Sequence, residues 1–105
     1  MNIEKGYIMT QSEQVLAVLR QSKQYLFEHF GVVDLALFGS TVRNTRRADS
    51  DVDVWVTFND VANAKRYFGV QFYLEDALQL PVDLVTDKAM RSELRPFIER
   101  EAVHV

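Results

Sequence analysis

Cysteine is absent from this chain, which excludes a disulfide framework and any thiolate metal site. That suits a reducing cytosol, and a cytoplasmic location is the expectation. No apolar run approaches the roughly 18 residues that a membrane span needs, so no membrane association is expected. The N-terminus lacks the apolar core of a signal peptide. A large excess of either charge is also missing. The net charge is −3, which leaves no general electrostatic case for nucleic-acid binding. Internal repeats and low-complexity tracts are missing. With four glycines and two prolines, chain breaks are few and each one is informative. What remains is 105 residues at 48% hydrophobic composition, enough for one small domain with a core and no room for a second.

The chemistry concentrates between Leu35 and Val56, which reads as strand, Gly-Ser turn, polar segment and second strand. Gly39-Ser40 ends the first strand, and Asp51-Val52-Asp53 opens the second ten residues later. Side chains alternate along a strand, so Asp51 and Asp53 point one way while Val52, Val54 and Val56 point the other. Two carboxylates about 6–7 Å apart on one face can share a cation. Without one they repel, and one of them must hold its proton more tightly. Glycine lets a ligand approach the backbone, and serine suits the N-cap of the segment that follows. Free N–H groups at a helix start favour phosphate. One loop can therefore hold a phosphate while the next strand holds a divalent metal.

The remainder of the chain fits a frame around this stretch. Residues 1–9 show no period and are expected to be a flexible leader, with residues 10–105 as a single domain. Thr10 and Glu13 form a capping box that starts a helix over about 11–30, and Gly31 stops it. His29 in its last turn suits the helix dipole, and a capping role outweighs a catalytic one. Val32–Phe38 is near-continuously apolar, as in a strand buried on both faces. Ser40–Asn44 is expected to make one or two helical turns. Arg46 and Arg47 in the loop that follows could meet a triphosphate or simply face solvent. The second strand is expected over Asp51–Phe58 and a second helix over Val61–Leu78. Tyr67, Val70, Leu74, Ala77 and Leu78 make that helix's core stripe, widened by Phe68 and Phe72, the alternative for these two being an exposed apolar patch for a partner protein; Gly69 weakens its continuity. Val82–Val85 is a third strand carrying Asp83 opposite Val82 and Leu84. A last helix over 88–101 is interrupted by Pro96, which implies a start near Arg95 or a kink. Leu94, Phe97 and Ile98 are expected to pack inward, and residues 101–105 to form a short extended end. His104 has no acidic or histidine neighbour in sequence and is read as structural.

An isolated Asp-x-Asp is ordinary. Gly39-Ser40 followed ten residues later by Asp51 and Asp53, with Asp83 in a third apolar strand, is not. Aspartates are depleted in strands and rarely buried unpaired, so three on one sheet are costly without a cation. Oxygen-only ligation points to Mg²⁺ or Mn²⁺. This arrangement resembles the nucleotidyltransferase superfamily built on a polymerase-beta-like palm. The resemblance implies an α/β (α+β) domain with a small mixed β-sheet of three to four strands flanked by helices. It implies Asp51, Asp53 and Asp83 as catalytic and metal-binding residues, and Gly39, Ser40 and Arg43 as nucleotide- or phosphate-binding. Two Mg²⁺ ions and ATP as substrate come with it, with Asp83 accepting the proton of the attacking hydroxyl. Minimal members read Gly-Ser-x-Ala-Arg-Gly after the first strand; here Val42 and Asn44 replace the Ala and final Gly. Asn tolerates a left-handed backbone, so the turn can survive.

The resemblance is sharpest to MNT proteins, the antitoxins of HEPN–MNT toxin–antitoxin pairs. It spans nearly the whole chain through Leu37–Ser40, Ser50–Val54, Pro81–Val85 and Ile98–Val103. It implies transfer of AMP from ATP to a hydroxyl, a tyrosine, of a HEPN ribonuclease toxin, with that toxin as a hetero-oligomeric partner. The chain spends its length on the palm, so the acceptor is expected to dock from outside. Two other readings stand beside this one. In the first, an antitoxin neutralises its partner by binding without catalysis; inhibition without ATP would mark it. In the second, a nucleotidyltransferase acts on a small aminoglycoside-like molecule, for which an acceptor domain is lacking.

Overall fold

The computed structural model describes residues 8–105. Most of the expected leader lies outside these described residues. They form helix α1 Gln11–Phe30, strand β1 Val32–Phe38, a 3-10 helix Gly39–Thr41 and strand β2 Val52–Phe58. Helix α2 Ala64–Leu78, strand β3 Val82–Thr86, helix α3 Arg95–Glu101 and strand β4 Val103–His104 follow.

The first helix has the ends its sequence encodes. The Thr10 side chain accepts from the Glu13 N–H, the Glu13 carboxylate accepts from the Thr10 N–H, and Gly31 closes the helix at φ 72°. Helix α2 begins three residues later than expected, because the Asn63 side chain accepts from the Arg66 N–H and caps it there. Gly69 does not interrupt it. A Cβ at Gly69 would lie 2.2 Å from the Phe30 ring, so the missing side chain lets α1 and α2 approach. Strand β2 begins at Val52 rather than Asp51 and β3 extends to Thr86. Helix α3 is confined to Arg95–Glu101, with Pro96 in its first turn, where its missing N–H has no helical partner to lose. Thr86 caps only a turn, through its hydroxyl and the Ala89 N–H.

The sheet order is β3-β2-β1-β4, with β1 antiparallel to both neighbours and β2 parallel to β3 through the α2 crossover. Helices α1 and α2 cover one face. Leu16, Leu19 and Leu26 of α1 and Val70 and Leu74 of α2 pack there on Leu37, Val54 and Leu84. The opposite face carries a smaller cluster of Ala36, Phe38, Trp55 and Met90, with half-buried Ile98 and Ala102 from the C-terminal segment. Both faces of β1 are therefore buried from Leu35 onward, as its apolar run implies. Val33, beside a register shift in the β1–β2 ladder, is 53% exposed.

Several apolar expectations fail for one reason: a helix presents only a limited stripe to its neighbours. Phe68 and Phe72, expected to widen the core, are 48% and 63% exposed and stack on each other. Ala77 is also exposed. Leu94, just before α3, and Phe97 face outward, and Ile98 alone of that trio packs inward.

Candidate functional site

The site follows from strand pairing. Phe38, Asp53 and Asp83 are partners across β1, β2 and β3. Aligned partners share a face, so these two aspartates lie side by side on the face away from α1 and α2. In the next row Ala36, Trp55 and Val85 continue that face beneath the C-terminal segment. Asp53 is half-buried, while Asp83 and Asp51, the residue just before β2, are exposed.

This crowding raises the Asp53 carboxyl from 3.8 to about 6. Burial is the largest cause. The charge of Asp83, a hydrogen bond to Asp83, and then the charges of Asp51 and Glu101 follow. Each of these causes disfavours the charged form of Asp53, so the carboxyl keeps its proton to a higher pH than an ordinary aspartate. Among the described residues, no three carboxylates or histidines converge closely enough in this arrangement to hold a metal ion. Asp53 and Asp83 are the close pair, and Asp51 reaches Asp53 through charge alone.

The end of β1 lies directly against this pair. Gly39 has φ 80°, and a Cβ there would fall 2.2 Å from Oδ2 of Asp53. Glycine is required twice over, by the left-handed backbone and by the carboxylate packed on it. The turn then runs through Ser40 and the fully buried Thr41 to Asn44 at φ 60°. The Asn44 side chain accepts from the Ser12 N–H at 2.9 Å. Asparagine at this position thus serves both the left-handed backbone and the first turn of α1.

Glu101 was not legible as a site residue. It lies 62 positions from Gly39, yet its Oε2 accepts from the Gly39 N–H at 2.7 Å. Its Oε1 pairs with Arg43. Two of the groups expected to hold phosphate, the Gly39 region and Arg43, therefore meet a carboxylate of the chain itself. The only sequence signal was the closing Ile98–Val103 segment, and nothing in its periodicity singles out this glutamate.

The remaining polar candidates have plainer roles. Arg46 donates to the carbonyls of Arg47 and Ser50, and its backbone exchanges two hydrogen bonds with the Gln11 side chain. It braces the loop onto α1, whereas Arg47 is exposed. His29 stacks on Tyr25 and hydrogen-bonds its carbonyl at the end of α1. His104 pairs with Asp34 at 3.0 Å and meets the Trp55 ring edge-on, fixing β4 rather than ligating.

Comparison with known proteins places the fold and the family. The family model described as a nucleotidyltransferase domain matches residues 19–105. The protein adenylyltransferase MntA of Thermococcus cleftensis is 37% identical over 93 residues, covering 89% of this chain and 94% of that protein. A solved structure of a candidate minimal nucleotidyltransferase superposes with TM-score 0.74 at 30% identity, covering 93% of this chain and 98% of the other. One chain from the solved complex of a tri-AMPylated Shewanella oneidensis HEPN toxin with an MNT antitoxin shares the fold at TM-score 0.56 and 19% identity. That match covers 90% of this chain and 67% of that one. The four-stranded mixed sheet, the Gly39 turn against Asp53 and these matches lead to one conclusion: this chain belongs to the nucleotidyltransferase-domain family.

Proposed function

We propose that this protein transfers AMP from ATP to a hydroxyl, a tyrosine, of a HEPN-type ribonuclease and so acts as its antitoxin in the cytoplasm. The observation that carries the reading is the Asp53–Asp83 pair with the Gly39 turn packed on it. Support for the donor and acceptor comes from the name of the Thermococcus relative and from the AMPylated toxin in the Shewanella complex. The all-oxygen chemistry of these carboxylates suits Mg²⁺, with Asp53 and Asp83 side by side as the pair that would hold it and Asp51 close enough for its charge to act on Asp53. Bound there, the metal would acidify the attacking hydroxyl and neutralise the phosphates.

The rest is the work of the chain. The Gly39–Ser40 turn would position the β- and γ-phosphates beside Asp53. The acceptor oxygen attacks the α-phosphorus, and the bond from that phosphorus to the oxygen bridging to the β-phosphate breaks. Pyrophosphate departs and the hydroxyl proton passes to Asp83. The test is the intact mass of a HEPN partner after incubation with this protein, Mg²⁺ and ATP. AMP additions that vanish with the Asp51→Asn, Asp53→Asn double variant are expected; equal additions with the variant would overturn the assignment. Phe68 and Phe72, stacked and exposed on α2, favour a second reading in which contact alone neutralises the partner. Full inhibition of the ribonuclease without ATP would select that reading.

A further inference from the structure

The closing helix reaches into the site through one side chain. Glu101 is the last residue of α3, and its carboxylate bridges the Gly39 N–H at 2.7 Å and the Arg43 guanidinium. Gly39 itself is packed on Asp53 and held at φ 80°. Three elements distant in sequence, the end of β1, the start of β2 and the end of α3, thus meet around one turn.

A structural role alone does not explain a carboxylate at this place. Its negative charge adds to those of Asp51, Asp53 and Asp83, and like charges at short range are unfavourable. A neutral glutamine could accept the Gly39 N–H without that cost. Two features offset it. The charge makes the backbone hydrogen bond a strong one, and it gives Arg43 a fixed partner. The Glu101 side chain is 27% exposed and that of Arg43 is 56% exposed, so the pair sits at the open mouth of the site rather than inside the core.

We infer that Glu101 is the positioning residue of the nucleotide-binding turn, holding the Gly39 backbone against Asp53 and aiming Arg43 across the mouth where the triphosphate enters. The inference rests on the nucleotidyltransferase reading above. Glu101 does not touch the reacting atoms; it sets the geometry of the groups that do. The same bridge couples the C-terminal segment to the site, because the chain passes directly from Glu101 through Ala102 into β4, which pairs with β1.

The experiment combines nucleotide affinity, kinetics and amide exchange in wild type, Glu101→Gln, Glu101→Ala and Arg43→Ala. Wild type and Glu101→Gln are expected to protect the Gly39 amide from solvent exchange, and Glu101→Ala to lose that protection by tenfold or more. Glu101→Ala and Arg43→Ala are expected to weaken Mg-ATP binding by tenfold or more and to raise KM for ATP more than they lower kcat. Glu101→Gln, which keeps the acceptor but not the charge, is expected to fall between them and wild type. Folding is checked by the unfolding transition, and the Gln variant carries the test if Glu101→Ala does not fold. An active wild type with all three variants within twofold in Mg-ATP affinity and KM would overturn the inference while sparing the proposed function. A wild type that moves no AMP but binds Mg-ATP, with binding weakened in the variants, would overturn the function and sustain the inference. A wild type that binds no nucleotide would overturn both.

Discussion

The two faces of β2 carry opposite demands in alternate residues. Val52, Val54 and Val56 are fully buried under α1 and α2. Between them, on the other face, Asp53 sits in a half-open site beside Asp83 and Trp55 lies under the C-terminal segment. One strand therefore supplies apolar burial on one side and uncompensated negative charge on the other. The helix-covered face can be tuned for stability because its contacts are short-range and apolar. The open face holds three aspartates and Glu101 near one another, and Asp53 keeps a proton well above the usual carboxylate range. Folding draws on one face and tolerates the other, as expected where a site needs a charge that is absent until a ligand arrives.

The sharpest separation should come from two residues on opposite faces of the paired strands, Asp53 of β2 and Leu37 of β1. Asp53→Asn is expected to lower AMP transfer by about 1,000-fold or more with the fold intact, read as kcat/KM against a HEPN partner. Leu37→Ala, on the helix face where Leu37 is fully buried, should instead cost about 2–5 kcal/mol by denaturant unfolding. It should leave per-molecule transfer near wild type at temperatures where the variant stays folded. A Leu37→Ala protein that is fully folded yet inactive would break the division between the faces.

Gly39→Ala tests the junction between them. Its Cβ would enter the space of the Asp53 carboxylate, at a backbone angle that disfavours any side chain. A loss of about 1–3 kcal/mol in stability is expected from backbone strain, together with loss of transfer. Stability unchanged by this substitution would show that the turn is not held as described.

A smaller effect lies in the pH dependence. The Asp53 carboxyl is raised from 3.8 to about 6 in the fold, so the folded state binds the proton more tightly than the unfolded chain. Stability contributed by the protonated form is present below pH 3.8 and is lost as pH rises through about 6. Asp53→Asn, which cannot ionise, should therefore be more stable than wild type at pH 7–8 by about 1–2 kcal/mol, after discounting for solvent screening at a half-open site. The difference should vanish near pH 3. A variant less stable than wild type at pH 8 without added cations would contradict this.

Much of the frame was legible from local signals. The Thr10–Glu13 box, the Gly31 stop, the apolar run of β1 and the alternation around Asp53 are determined by near neighbours, and each appears where expected. The Gly-Ser and Asp-x-Asp signals likewise fall together, because β1 and β2 pair antiparallel with Phe38 opposite Asp53. The parts that escaped depend on distant packing. Phe68 and Phe72 lie beside the Tyr67–Val70–Leu74 stripe, and periodicity alone does not say on which flank the partner helix ends. Arg46 is a donor to nearby carbonyls, which no charge pattern reveals. Glu101 becomes part of the site only because β4 pairs with β1 and draws the end of α3 over Gly39.

The most direct measurement is the thermal unfolding of wild type and Asp53→Asn at pH 7.5 with increasing Mg²⁺. If the open face is a cation site, wild type should gain stability with each increment as binding to the folded state demands, and the variant should gain little. Equal shifts in the two proteins, or none in either, would contradict the claim that this charge is arranged for a metal.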